Sequence, residues 1–296
     1  MSESSSPASP GETKGSAERD DSSVVAQFFL IPLAVVAGMV GIFLLFTMAT
    51  RKTPTPEDQL KALRSGRFNQ RWQAAFELSN LLKDPHALEK NPQLPAELVK
   101  VLDASMAAPE EDPRVCRYLV LALGNTGSPQ SVPALLKAGR ATDQETRLYA
   151  LGGLARIRAA ESAPLFIAGL SDPDPSVRSV CAFGLGGLEG LEAGPQLHDL
   201  LKDSVPEVQW NAALALARHE DDSGKDILAQ LLDRKYLDQF QGLQSEDKAE
   251  LILNALRGIK YLKISEFDKK IEKLAQEDPD IRVRKAAKSW KGSDNS

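Results

Sequence analysis

Histidine and cysteine are the side chains of this sequence best suited to bind metals or act as nucleophiles, and they are few. The chain has three histidines, His86, His198 and His219, and two cysteines, Cys116 and Cys181. A single His-Glu pair, His219-Glu220, occurs, whereas a metal site needs several ligands that converge. We therefore predict no metal site and no cofactor.

Other catalytic patterns are missing from the sequence as well. It contains no Gly-rich phosphate loop, no nucleophile elbow and no zinc-ligand spacing. Residues 51–296 carry a net charge of −2 out of the total of −5, so they lack the clustered cations that dominate affinity for nucleic acids. We predict a protein that is not an enzyme, binds no nucleic acid and has no small-molecule substrate.

An internal repeat of 31 residues organises most of the chain. Its two series of aligned positions agree independently, one of segment starts and one of prolines: Cys116, Arg147, Arg178 and Gln209, and Pro133, Pro164 and Pro195. A period of 20 to 50 residues is typical of stacked supersecondary units. Such stacks generally work as binding surfaces.

Each repeat reads as a pair of helices. In the best-formed copy, residues 163–170 make a short apolar helix with proline in its first turn, where proline is tolerated. Residues 171–175 then supply turn chemistry. A second helix follows, with Val177, Cys181, Ala182 and Leu185 on one stripe at helical spacing. No segment alternates with a period of two, which favours an all-α fold.

The repeat resembles a known family. Asp174-Pro175-Ser176-Val177-Arg178, followed by Gly184-Leu185-Gly186, resembles the HEAT repeat, particularly the bacterial form named after phycobilisome lyases. The resemblance covers most of residues 54–292 and implies an α-solenoid of six to seven helix pairs. It also implies that Arg147, Arg178 and Arg284 form a structural ladder with the aspartates of the turns.

The two cysteines fall in different copies of the repeat. Cys116 and Cys181 lie two copies apart, and stacked helices are spaced about 8 to 10 Å apart. Their α-carbons would exceed the roughly 7 Å limit for a disulfide. We predict two small buried thiols in a reducing compartment.

A charge-free segment precedes the repeats. Residues 24–50 contain no charged side chain, and Phe28 to Met48 would cross a hydrocarbon layer of roughly 30 Å as a helix. A cleaved secretory signal is the alternative, but it would have a basic start and a shorter apolar run. We predict an uncleaved transmembrane helix over residues 24–50.

Flanking charge and composition complete the domain prediction. Residues 1–23 are predicted to be a disordered acidic tail, 51–292 the solenoid and 293–296 a disordered C-terminus. More cations follow the charge-free segment than precede it, which places the solenoid in the cytoplasm. The sequence therefore predicts a single-pass membrane protein.

The outward positions of the second helices suggest a binding surface. Advancing 100° per residue from the ladder position, the places that should face solvent instead hold apolar side chains. We predict a strip along the concave side, edged by two arginines; its members are Phe76, Tyr118, Leu121, Tyr149, Val180, Phe183, Leu214, Arg156 and Arg218. Alternatively, tight curvature makes these side chains cover one another.

From these features we predict a membrane-anchored HEAT-repeat scaffold or adaptor that binds a protein partner along its concave face. The alternative is a phycobilin-lyase-like chaperone, or a non-catalytic subunit of a membrane enzyme or transport complex. The HEAT pattern is specific for architecture and nearly silent on activity. The partner, the pathway and the oligomeric state do not follow from the sequence.

Overall fold

The structure is a computed structural model, and it describes residues 31–50, 55–66, 68–108, 110–188 and 194–290. These residues form helices joined by turns, with no strand among them. The chain divides into two compact units at the boundary between Pro54 and Thr55.

The predicted disordered segments, residues 1–23 and 293–296, lie outside the described residues. So do residues 24–30, the start of the predicted membrane segment, and Arg51 and Lys52.

The first unit contains one described helix, α1 (Ile31–Thr50). Across the part of the chain that the structure covers, no helix has both the length and the apolar content needed to cross a bilayer. The predicted single-pass localisation is thus contradicted, and the cytoplasmic orientation falls with it.

The second unit is a stack of helix pairs. Between residues 55 and 290 the structure shows seven pairs, which confirms the predicted all-helical repeat solenoid. The pairs are α2 (Pro56–Ser65) with α3 (Phe68–Leu81), α4 (Leu94–Ala107) with α5 (Pro113–Thr126), α6 (Val132–Ala138) with α7 (Gln144–Ile157), α8 (Ala163–Gly169) with α9 (Pro175–Leu185), α10 (Gly194–Leu200) with α11 (Pro206–Arg218), α12 (Lys225–Leu231) with α14 (Ser245–Leu262), and α15 (Asp268–Glu277) with α16 (Ile281–Trp290).

The sixth pair departs from the 31-residue repeat. A short helix, α13 (Arg234–Leu237), and a turn segment separate its two members. Tyr236 and Phe240 from this insertion pack edge-on against Trp210 of α11, with ring centroids 6.4 and 5.0 Å away. The insertion therefore helps to bury Trp210, which is 2% exposed.

Aspartates start the second helices at the repeat spacing. Asp112, Asp143 and Asp174 are the N-cap residues of α5, α7 and α9, and each side chain accepts a backbone hydrogen bond from the first turn. A proline follows Asp112 and Asp174. Proline is tolerated there because the first helical position needs no N–H donor. The turn signal of the sequence is thus an N-capping signal.

The second helices form a tight continuous row, α3, α5, α7, α9, α11, α14 and α16, each packed along the next. Glycine permits the closest approach: a methyl group on Gly153 of α7 would lie 2.8 Å from the α-carbon of Gly124 of α5. The short first helices contact one another far less. The second helices therefore form the more tightly packed side of the stack, which is the side that the sequence predicts to be concave.

Arginine–aspartate pairs link consecutive repeats. Arg117 Nε and Nη2 donate to Asp143 at 2.9 and 2.6 Å, and Arg178 does the same to Asp203 at 2.8 and 2.9 Å. Arg147 and Arg284 instead donate to backbone carbonyls of their own turns. Of the three arginines in the ladder that the resemblance implies, Arg178 is therefore the one that bonds to an aspartate of the next repeat. Arg117, one position after Cys116, makes the same kind of bond.

These pairs predict acid sensitivity. Hydrogen bonds from Arg117, and then from Thr146, lower the pKa of Asp143 to about 2 against the opposing effect of burial. Because this folded-state pKa lies below the ordinary value, the stabilisation is present above about pH 4 and is lost as the pH falls toward 2. We expect Asp143→Asn, which keeps the N-cap, to remove about 1–2 kcal/mol of this acid dependence in urea titrations between pH 5 and pH 2. An unchanged pH dependence in the variant would contradict it.

Candidate functional site

The predicted concave strip spans five second helices, α3 to α11, and the structure divides its members by exposure. Phe76 and Phe183 are 40% and 45% exposed. Tyr118, Leu121, Tyr149 and Val180 are half-buried. Leu214 is only 6% exposed and packs toward Gly258 of α14, so it belongs to the core. The surface that remains has two exposed aromatic centres, one at each end.

The first centre lies on α3 and α5. The rings of Phe76 and Tyr118 meet edge to face with centroids 5.1 Å apart, and Trp72 lies 6.4 Å from Tyr118. The guanidinium of Arg114 stands 4.2 Å from the centre of the Trp72 ring, within the range of a cation–π contact. These rings partly cover one another, which is the alternative to an open strip given above. Phe76 nevertheless still faces solvent.

The second centre is a cleft between α9 and α11. It has a volume of about 460 Å³, and Val180 and Phe183 form its apolar wall. Ser179, Asn211 and Glu207 lie on its polar side, and Asn211 Nδ2 donates a hydrogen bond of 2.7 Å to Ser179 Oγ. The cleft offers an apolar wall next to amide, hydroxyl and carboxylate groups.

The two predicted edge arginines occupy different surroundings. Arg156 is exposed in the last turn of α7. Arg218 is half-buried, with its guanidinium carbon 5.4 Å from the centre of the Phe183 ring. Burial lowers the pKa of Arg218, and the nearby positive charges of Arg158 and Arg257 lower it further.

Sequence reasoning missed three members of this neighbourhood, Arg158, Arg257 and Tyr261. Arg158 ends α7 in the left-handed region, with φ of 56°, and stands 31 residues after Gly127, whose φ is 62°. That spacing was readable from the sequence. Arg257 and Tyr261 lie on α14, where the repeat pattern is lost, so no sequence register connected them with the strip.

The cysteines of the second helices are not poised for nucleophilic chemistry. Burial is the main cause that raises the pKa of Cys116 to about 11 and that of Cys181 to about 12. Both are free thiols. Since the thiolate is the nucleophile, neither side chain is suited to form a covalent bond with a ligand at neutral pH.

Thiol labelling tests this conclusion. In the folded chain near pH 8 we expect both cysteines to react with a disulfide reagent slower than a free cysteine by roughly two orders of magnitude, following the smaller thiolate fraction. After unfolding in guanidinium, both should react at the ordinary rate. Rapid labelling of either thiol in the folded protein would contradict the assignment.

Histidines do not gather into a metal site in the part of the chain that the structure covers. His219 Nε2 lies 3.1 Å from the carbonyl oxygen of Leu185, and His198 Nε2 lies 2.7 Å from Asp221. No group of three or more His, Cys, Asp or Glu side chains comes together among the described residues in a way that would hold a metal ion.

Helix pairs, capped turns and a concave row of second helices define an α-solenoid repeat protein. Residues 163–240 match the family described as HEAT repeats, and residues 115–138 match the PBS lyase HEAT-like repeat. The chain thus contains HEAT repeats, including one of the phycobilisome-lyase type.

Two known proteins are similar to this chain, one in sequence and one in fold. A curated relative, the bilin biosynthesis protein MpeU of Synechococcus sp. (strain WH8020), is 30% identical over 137 residues. The match spans 45% of this chain and 46% of that protein, about half the length of each. Among solved structures, the complex of CpcE and CpcF of phycocyanin lyase from Nostoc sp. PCC7120 aligns with a TM-score of 0.55 at 21% identity. That alignment covers 81% of this chain and 96% of the other.

The names of these proteins correct one prediction. We expected a chain that is not an enzyme, because the sequence contains no recognisable catalytic pattern. The relatives are named as a bilin biosynthesis protein and as part of a phycocyanin lyase, which contradicts that expectation. The absence of a local motif was a poor guide, because a HEAT solenoid assembles its surface from side chains one repeat apart.

Proposed function

We propose that this chain is a bilin-handling protein of the phycobilin-lyase type, which binds a bilin on its concave face. The observation that carries the proposal is the 137-residue match to a bilin biosynthesis protein. The lyase-type HEAT-like repeat at residues 115–138 and the fold shared with CpcE and CpcF agree with it. This is the alternative that the sequence raised, and the comparisons favour it over a membrane scaffold.

The concave face has chemistry that suits such a ligand. A bilin is a linear tetrapyrrole, largely flat and conjugated, with polar pyrrole nitrogens and propionate side chains. The cleft between α9 and α11 has an apolar wall from Val180 and Phe183, and polar groups from Ser179, Asn211 and Glu207. Ligand sites commonly combine an apolar lining with a few placed polar groups.

The cysteine chemistry restricts what the chain does with a bilin. Because the thiols of Cys116 and Cys181 have raised pKa values and Cys181 is fully buried, the chain holds the ligand without a covalent bond of its own. Its role is then to hold and orient a bilin for reaction with another molecule. Positioning of this kind contributes to rate by fixing the reacting geometry.

A spectroscopic titration tests the proposal. We expect a free bilin, titrated with the full-length chain, to show a saturable change in visible absorption and a rise in fluorescence, because a rigid site restricts the flexible chromophore. The bilin should separate from the chain under denaturing conditions. A bilin spectrum that the chain leaves unchanged would contradict the proposal.

A second role, binding of a protein partner along the concave face, remains a proposal. The observation that favours it is the exposed Phe76, which lies on α3 at the opposite end of the strip from the cleft. CpcE and CpcF themselves occur as a complex. Phe76→Asp should abolish partner capture in crosslinking experiments and preserve bilin binding, whereas Phe183→Asp should weaken bilin binding. If each variant lost both partner capture and bilin binding while keeping its fold, the proposal of two separate surfaces would be contradicted.

A further inference from the structure

A group of cations lies at the end of the concave face next to the cleft. Arg158 comes from the end of α7, Arg218 from the end of α11 and Arg257 from α14. Two aromatic rings accompany them, Phe183 and the 50% exposed Tyr261. Four second helices therefore contribute to one small surface, which we call the arginine cluster and define by these five residues.

Glycines bring the first two cations close to each other. A methyl group on Gly186 would lie 3.5 Å from Arg218 Nη1, and one on the adjacent Gly187 would lie 3.7 Å from Arg158 Cγ and 3.9 Å from its Nε. Arg158 and Arg218 thus approach the same Gly-Gly segment, which follows α9, from its two neighbouring helices. Arg158 and Arg257 are both close enough to Arg218 for their positive charges to lower its pKa.

Among the described residues, no carboxylate forms an ion pair with Arg158, Arg218 or Arg257, whereas Arg117 and Arg178 on the same row of helices are paired with aspartates. Arg257 donates to the neutral side chain of Asn254 at 2.9 Å. Cations that no described carboxylate neutralises attract an anion.

Arg158 occupies a position where glycine would fit. Its φ of 56° lies in the left-handed region, which glycine adopts at little cost and other residues adopt with strain. Gly127 occupies the equivalent position one repeat earlier, with φ of 62°, and Glu220 and Lys263 have similar values of 59° and 55°. Replacing Arg158 with glycine therefore removes the side chain without disturbing the backbone.

We propose that the arginine cluster binds the propionate carboxylates of the bilin, with Phe183 and Tyr261 against its conjugated rings. The inference rests on the proposed function. Guanidinium groups bind carboxylates through paired, charge-assisted hydrogen bonds, and Arg218 lies over the ring of Phe183, a residue that lines the cleft. The cluster would hold the charged edge of the ligand while the cleft takes its apolar body.

Arg158→Gly is the most informative variant. It removes one cation of the cluster and places glycine in a left-handed position, so the thermal midpoint should stay the same or rise. We expect bilin affinity to fall by about tenfold, in the range for a lost charge-assisted contact. Arg140→Ala, which removes an exposed arginine of the turn after α6, is the matched control and should leave bilin affinity unchanged. A tenfold loss in both variants would indicate only a general effect of net charge.

A second comparison uses the ligand. The dimethyl ester of the bilin keeps the rings and lacks the carboxylates, so it should bind the unaltered chain about tenfold more weakly than the free acid. Arg158→Gly and Arg257→Gln should weaken binding of the acid and have little effect on the ester. Equal affinity for acid and ester overturns the assignment of the cluster and leaves the proposed function standing. Failure of the chain to bind either form overturns the proposed function, and the cluster assignment with it.

Discussion

Replacing Arg178 with alanine is expected to lower the free energy of unfolding by about 3 kcal/mol, in the range for removing one partner of a buried ion pair. The side chains of Arg178 and Asp203 are only 15% and 8% exposed. Two hydrogen bonds join them, and Arg178 Nη1 also donates to the carbonyls of Asp172 and Pro173 at 2.8 and 3.1 Å. The variant leaves the Asp203 carboxylate buried without its cation. Urea unfolding followed by far-UV circular dichroism measures the loss.

Arg147→Ala is the matched control for this prediction. Arg147 occupies the same position one repeat earlier and donates to the carbonyls of Ala141 and Thr142, but no described carboxylate of the next repeat pairs with it. Its removal should cost about 1 kcal/mol, the net value of ordinary hydrogen bonds. Equal losses of unfolding free energy in the two variants would show that the ion pair of Arg178 with Asp203 contributes no stability.

Replacing Gly153 with alanine is expected to destabilise the protein by about 2 kcal/mol, although alanine is the better helix former. The new methyl group would lie 2.8 Å from the α-carbon of Gly124 and 3.2 Å from Leu135 Cδ1. A backbone atom cannot move aside as a flexible side chain does. Helices α5 and α7 must therefore separate, and the tight row of second helices is broken in the middle of the stack.

Gly152→Ala adds the same methyl group one residue away, and we expect it to raise stability instead of lowering it. A methyl group at Gly152 meets no atom within 4 Å, so the variant should gain up to about 1 kcal/mol from helix propensity. A repeat array need not unfold in one step, so the midpoints of both variants are best compared together with the width of the transition. Stabilisation by both substitutions would contradict the close approach of α5 and α7.

The architecture could be predicted because several copies of the repeat carry the same sequence signals. Aspartates at 31-residue spacing, prolines in first turns and the apolar stripe of Val177, Cys181 and Leu185 all point to paired helices, and the structure buries that stripe. Consistent local signals of this kind are what make a fold readable from its sequence. The sixth pair interrupts the 31-residue repeat, so the bounds of its helices could not be predicted from that spacing.

The candidate site was predicted less completely, for a geometric reason. Helical periodicity gives the direction of a side chain from its own axis, but the distance to the next helix depends on small residues such as Gly124 and Gly186. That distance places Leu214 in the core and leaves Phe183 exposed. Arg158 and Arg218 are close to one surface only because a glycine pair lies between them, a relation that no single repeat displays.

The names of the relatives contradict the expectation that the chain is not an enzyme, and no local motif in the sequence pointed that way. The cysteines and histidines were the obvious chemical groups, and the structure gives the thiols raised pKa values and gives His198 and His219 partners within the fold. The proposed function therefore relies on a surface that binds and orients a ligand. A function of that kind was suggested by resemblance and by the curated relative, and not by residue types.

Hydrogen–deuterium exchange of the full-length chain, with and without a saturating free bilin, tests most directly whether the concave face binds the ligand. Ligand binding raises the free energy of local opening where the ligand contacts the chain. We expect slower exchange in α9 and α11, residues 175–185 and 206–218, and in the last turn of α7. Protection confined to the first helices α8 and α10, with no change in α9 and α11, would contradict it.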